Sequence, residues 1–386
     1  MKVNQFQPYI DQEEYNSIKE CFDSNWITEG PKAKEFSKKL CKLIGCKYGV
    51  FAPNGTLSLY LGLKAIGIKP GDEVIVPDFT FIASANAVEM IGAKPIFADI
   101  EIDTLHIDID KCETLITPNT KAIMPVHIYG TSANMDVIMK FAHKHNLKVI
   151  EDAAQAIGVK WDNKHCGSFG DVGSFSFFAD KTITTGEGGF ICTNNEEIYK
   201  NLLYLRNQGR INRGSFKHPE IGYNFRMTDI QCAIGLSQLK KLNTIISKKQ
   251  NILQLYKDNL KNVKGISILE PINKSNHIPF RVAIMFDRKI DYIMEYLSNN
   301  GVETRTFFYP IHKQPCYKNC DCLKDECFNF TNSTYVYEHG LCMPSYPELK
   351  KEQILYVCDK IKEALSFNET ELYCLNNNID PYLQTR

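Results

Sequence analysis

The sequence has no excess charge of either sign: 45 Lys and Arg balance 45 Asp and Glu, for a formal net charge of zero. Nothing global therefore pulls the chain toward nucleic acid or an anionic membrane. A local anion site remains compatible with that balance. The chain also lacks an uncharged apolar run of the roughly 20 residues that cross a bilayer. Its first residues, MKVNQFQPYI, have neither the basic start nor the apolar stretch of a secretory leader. The expectation is a cytoplasmic protein with no nucleic-acid or membrane partner. Internal repeats and long low-complexity segments are missing too, and the Asn run after residue 366 says little.

What is present reads as a globular protein. At 386 residues, the chain is long enough for two to three domain-sized units. The hydrophobic share is 44% and the charged share 23%, both ordinary for such a protein. Many of the 14 cysteines sit in apolar segments, such as Cys192 in GGFICT and Cys232 in DIQCAIGL. In a reducing compartment these are small core residues. Cys316, Cys320, Cys322 and Cys327 are denser, but their Cys-x3-Cys-x1-Cys-x4-Cys spacing is not two separated Cys-x2-Cys pairs. They read as free thiols on a polar loop, and no metal is expected.

The first two-thirds alternates strand and helix signals. Apolar runs at 74–76, 95–98, 122–127 and 148–152 read as buried strands, with helical patterns at 82–91 and 135–145 between them. That order predicts a mainly parallel sheet covered on both faces. Two further strands, 174–178 and 189–193, flank a glycine-rich turn, and 229–261 reads as a long helix. The expected division is a large domain over 1–252 and a smaller C-terminal α/β domain over 253–386.

Four segments carry candidate chemistry. In FSFFADKTITTGEGGF (175–190), an aromatic strand runs into Lys181 and then a glycine-dense turn. Lysines on loops are usually solvated. This one is held where its ammonium can be directed inward, and desolvation or nearby positive charge makes such an amine nucleophilic enough for a Schiff base. In VIEDAAQAIG (149–158), a strand ends in Glu151-Asp152 at the carboxyl edge of the sheet, where α/β proteins bind ligands. Asp152 reads either as a cap for a following helix or as a partner for a protonated ring nitrogen. Gln155 would then lie one turn into that helix. In APNGTLSLYLGLKAIG (52–67), Asn54-Gly55-Thr56 precedes a helix whose free amides suit a phosphate, though an ordinary capped helix looks the same. Phe81, in VIVPDFTFIASANAV (74–88), reads either as core or as a ring that stacks on a cofactor.

Taken together and in order, these segments resemble the DegT/DnrJ/EryC1/StrS aminotransferases, which transfer an amino group to nucleotide-linked keto-sugars. The resemblance runs from NWITEGP (25–31) through NGT, GDEVIVPDFTFIASANAV, MPVHIYG (124–130), EDAAQA, FSFFADKTITTGEGG and GYNFRMTDIQ (222–231) to YPIH (309–312). It implies a fold-type I architecture, pyridoxal phosphate as cofactor, and a homodimer with shared active sites. Carried over by position, Lys181 is the Schiff-base lysine and Asp152 the pyridinium partner. Phe81 stacks on the ring and Gln155 sits by its hydroxyl. Gly55, Thr56 and Ser176 hold the phosphate, and Asn224 reaches the phosphate of a neighbouring subunit. Thr28, Glu29, Tyr309 and His312 are candidates for the sugar pocket. One departure is Asp180, where relatives often have Asn or His before the lysine; the expectation is that it points away from the amine.

The implied reaction moves an amino group from glutamate to a nucleotide-linked 4-keto-6-deoxyhexose, of the perosamine or viosamine kind. Amination at C3 is the near alternative. Relatives that dehydrate sugars have histidine at the lysine position, and iron–sulfur relatives need a dedicated cysteine set. A third class, a non-catalytic regulator on the same fold, would have no use for the lysine, aspartate and phosphate set.

Overall fold

The alternation of strands and helices resolves into a seven-stranded sheet in the computed structural model, which describes residues 1–210, 216–318 and 329–377. Two helices, α1 (Gln12–Asp23) and α2 (Pro31–Ile44), precede it. The strands then follow as β1 (Tyr48–Ala52), β2 (Glu73–Pro77), β3 (Lys94–Ala98), β4 (Thr120–Ile123) and β5 (Lys148–Asp152). After a small hairpin of β6 (Lys160–Trp161) and β7 (Lys164–His165) come β8 (Val172–Ser176) and β9 (Gly189–Thr193). Across the sheet the order is β1-β9-β8-β5-β4-β2-β3. Only β9 runs against its neighbours, so the sheet is mainly parallel.

Both faces are covered, which is why the strands read as continuous apolar runs rather than alternating ones. Val74, Ile75 and Val76 are each 0% exposed. The connecting helices are α3 (Gly55–Ala65), α4 (Ala83–Glu89), a short α5 (Ile109–Cys112), α6 (Met135–Lys144) and α7 (Glu196–Arg206).

Two local expectations need correction. The strand expected over 122–127 stops at Ile123. Pro125 has no N–H to give to a ladder; its carbonyl still accepts from Asp152 N at 2.9 Å. No helix follows β5: residues 153–158 form turns. Asp152 therefore caps no helix, and Gln155 sits in a turn rather than on a helix.

The helix α8 (Asp229–Leu260) runs 32 residues and is shared between two cores. Its Cys232, Leu236 and Ile245 pack with the large-sheet side, whereas Ile252, Leu253, Tyr256 and Leu260 pack in a second core. The division expected at 252/253 thus falls inside a continuous helix. The second core lies under an antiparallel sheet of β10 (Ile266–Ile268), β11 (Val282–Phe286), β12 (Arg305–Thr306) and β13 (Gly340–Met343), in the order β10-β11-β13-β12. Helices α9 (Asp291–Asn299), α10 (Thr331–His339), α11 (Lys351–Ser366) and α12 (Glu369–Asn376) complete it. Val3 joins this second core and bridges to Val302, so the N-terminal residues pack with the C-terminal sheet. Cys316 is exposed, and Cys320, Cys322 and Cys327 lie outside the described residues. Among the described residues, no helix is long and apolar enough to cross a membrane.

Candidate active site

A pocket of about 500 Å³ opens at the carboxyl ends of the parallel strands, walled on its far side by the second sheet. The large sheet contributes Asp152 from the end of β5, Ser176 from the end of β8, and Phe81 from the loop after β2. Gly55 and Thr56 open α3, Gln155 comes from the turn after β5, and Lys181 from the turn after β8. The pocket therefore brings together seven of the expected site residues.

The Lys181 ammonium lies over the face of Phe280, 4.3 Å from the ring centroid. Burial lowers its proton affinity; Asp180 and Asp152 oppose that shift and Arg281 adds to it, leaving the amine below an ordinary lysine. Such an amine spends more time unprotonated and nucleophilic. The turn that presents it is closed by Lys181 N, which donates to Phe178 O at 3.0 Å.

The strand alternation at the end of β5 assigns its two carboxylates to opposite faces. Asp152 faces the pocket, where it accepts from Ser84 Oγ at 2.8 Å and Ala154 N at 3.1 Å. Burial raises its pKa, and these two donors hold the rise down. Glu151 faces the other way and is 0% exposed. It accepts from Gly167 N at 2.6 Å, Phe169 N at 2.6 Å and Gly170 N at 2.7 Å, and meets His127 Nε2 at 3.0 Å. Burial opposes a second proton on His127, while Cys166 and Glu151 draw one. However, Ala133 N donates to His127 Nδ1 at 3.2 Å. That contact needs the Nδ1 lone pair, so we take the ring as the neutral tautomer that donates through Nε2.

The anion cradle is set by close approach. A Cβ on residue 55 would lie 2.9 Å from Ser176 Cβ, so only glycine lets the start of α3 reach the end of β8. Asn54 caps the helix by accepting from Leu57 N at 2.9 Å. The first amides of such a helix have no intrahelical acceptor and favour a phosphate. Beside the cradle, Phe81 stands 57% exposed on the pocket wall, a flat apolar face open to a ring. Gln155 Oε1 accepts from Tyr129 N at 2.8 Å, which leaves its amide NH2 to offer to a ligand. Amine, carboxylate, ring face and anion cradle together fit pyridoxal phosphate.

Five expected residues lie elsewhere. Asn224 is exposed, its backbone bridged to Asn207. Thr28 and Glu29 line a separate open groove of about 820 Å³ with Lys200, Arg206, Arg210 and Arg226. There Glu29 pairs with Arg206 Nη2 at 2.5 Å. Tyr309 packs edge-on against Tyr337 at 5.0 Å. His312 Nδ1 meets buried Asp78 Oδ2 at 2.6 Å, so this imidazole ties the segment after β12 to the end of β2.

The pocket also holds Tyr129, Arg281, Arg305 and Phe308, which sequence reasoning missed. Tyr129 at least carries a local oddity, a left-handed φ of 49° just before Gly130 in MPVHIYG. The arginines carry no signal, being ordinary members of strand-like segments. Asp180 is a correction: it does not point away but sits 3.7 Å from Lys181 Nζ, because Arg281 draws it inward.

Residues 8–362 match the DegT/DnrJ/EryC1/StrS aminotransferase family. The GDP-perosamine synthase of Escherichia coli O157:H7 is 38% identical, over 94% of this chain and 98% of that protein. That of Vibrio cholerae is 36% identical, over 92% and 97%. Among solved structures, a Streptococcus pneumoniae protein described as a sugar aminotransferase, in its PLP form, superposes with TM-score 0.89 at 26% identity. That likeness covers 95% of this chain and 99% of the other. By its own pocket and across nearly its whole length, this chain belongs to the DegT/DnrJ/EryC1/StrS aminotransferases, enzymes that work with pyridoxal phosphate.

Proposed function

We propose that the protein transfers an amino group from glutamate to a nucleotide-linked 4-keto-6-deoxyhexose, giving a 4-amino-4,6-dideoxy sugar nucleotide. The observation that carries the reading is Lys181: a desolvated amine in one pocket with a buried aspartate and a helix-start anion cradle. The choice of sugar is supported by similarity to GDP-perosamine synthases over more than nine-tenths of the chain.

When bound, pyridoxal phosphate supplies an electron-poor ring that makes the α-hydrogen of the donor amino acid acidic. The chain's own groups divide the remaining work. Gly55, Thr56 and Ser176 hold the phosphate, and Phe81 covers the ring. Asp152 keeps a proton on the ring nitrogen. Lys181 Nζ takes the proton from the donor α-carbon and later delivers one to the sugar C4, the former carbonyl carbon that now carries the amine, as general base and acid. Histidine in its place would favour dehydration, so the lysine is what selects amino transfer. Asn224, exposed on one chain, would complete the phosphate site of a second, which makes the active form a homodimer. Thr28, Glu29, Tyr309 and His312 stay as candidates for the sugar side.

The test is a panel of UDP-, GDP- and dTDP-linked 4-keto-6-deoxyhexoses with glutamate, products identified by mass and NMR. Amination at C4 is expected; a C3 amine would refute the regiochemistry. Lys181→Ala should retain no covalently attached cofactor after borohydride treatment and denaturation, unlike wild type, and should be inactive. Turnover of that variant at the wild-type rate would overturn the assignment.

A further inference from the structure

Beside Lys181 lies a charged group without a task in the chemistry above. Asp180 Oδ1 is 3.7 Å from Lys181 Nζ, while Oδ2 is 2.5 Å from Arg281 Nη2. Oδ1 is buried and has no hydrogen-bond partner among the described residues. Arg281, 5% exposed, donates Nη1 to Gln5 Oε1, which fixes the guanidinium from behind. The carboxylate is thus held on one oxygen and free on the other, and the free oxygen faces the amine.

We propose that Asp180 and Arg281 form a buried charge pair that positions Lys181 and sets how tightly it keeps its proton, with Asp180 as the resting partner of the free ammonium. This rests on the reading of Lys181 as the proton-carrying amine. Asp180 alone would hold the ammonium firmly and slow its return to the base form. Arg281 neutralises much of that pull, so the amine can both keep and release a proton. The other charged groups around it are Asp152 at the end of β5, with Glu187 and Arg305 on the pocket wall. Lys249 on α8 lies behind, its ammonium turned to the carbonyls of Pro279, Phe280 and Ser345 at 3.1, 3.3 and 3.2 Å. Of these, Asp180 and Arg281 act on Lys181 more strongly than Asp152 does, and in opposite directions.

The pair makes a signed prediction. In full-length holoenzyme, the visible absorbance of the cofactor titrates with pH because it is linked to Lys181. Asp180→Asn leaves a lone guanidinium near the amine, and the midpoint should fall by about one unit or more. Arg281→Gln frees the carboxylate, and the midpoint should rise by a similar amount. Mere loosening of the site would move both variants the same way. Unmoved midpoints, or shifts of the same sign, in variants whose circular dichroism matches wild type overturn the charge pair. Should Asp180→Asn not fold, Arg281→Gln decides alone: an unmoved or lowered midpoint is fatal. A wild-type band that survives in Lys181→Ala would instead remove the reading of Lys181 itself.

Discussion

Glu151→Gln isolates what the hidden side of β5 contributes. The change preserves shape but replaces one carboxylate oxygen with an NH2. In the native site, Oε1 accepts from Phe169 N and Gly170 N, and Oε2 from Gly167 N and His127 Nε2. An amide oxygen can serve only one of these pairs. The NH2 then faces another N–H, and at least one buried backbone donor is left unsatisfied, which costs about 1–3 kcal/mol. The surviving bonds lose their charge assistance, each worth roughly 1 kcal/mol. The sum is a destabilisation of about 4 kcal/mol. Urea unfolding followed by circular dichroism, at fixed cofactor concentration, measures it; a loss below about 1 kcal/mol would refute the reasoning. The pH dependence gives a second check. The His127 and backbone donors hold Glu151 below its ordinary value of 4.5 against the pull of burial. Its stabilisation is therefore present above that value and lost as pH falls through the lowered one. The wild-type advantage over Glu151→Gln should shrink in acid and stay level above neutrality.

Asp152→Asn should keep the cofactor but slow proton transfer about a thousandfold, from a charge pair worth ~4 kcal/mol; rapid-scan absorbance of the glutamate half-reaction reads it, and a near-normal rate would reject the electronic role. Mixing two dead variants tests the shared site. Lys181→Ala and Asn224→Asp chains, refolded or exchanged together, should recover up to about one quarter of wild-type turnover, because each heterodimer regains one intact site. No recovery despite demonstrated heterodimers would place Asn224 outside the partner's site.

What was legible depended on how local the signal is. Buried parallel strands announce themselves by apolar runs, and residues 74–76 and 148–152 lie within β2 and β5. The glycine-dense turn after Lys181 and the Asn54 cap are likewise short-range features. The segment after β5 reads as helix because Ala153, Ala154 and Ala156 favour helix intrinsically, whereas tertiary contacts hold it as turns. For example, Ala153 N donates to Ser174 O at 2.8 Å. The facing of Asp180 was invisible for the same reason: its partner Arg281 is 101 residues away and reaches it only once the second sheet has docked. Ser84, which holds Asp152, looks in the sequence like any small residue on a helix.

The long helix α8 has one further consequence, a mechanical one. At 1.5 Å per residue it is a rod of roughly 48 Å, and a 5° tilt about its middle moves each end by about 2 Å. It has no loop between the two cores where such a tilt could be absorbed. Along the rod, Lys249 grips the carbonyls of Pro279 and Phe280, and Gln238 Oε1 accepts from Thr184 N at 3.4 Å, three residues past Lys181. Any rocking of the second sheet is therefore geared directly to the turn that aims the amine.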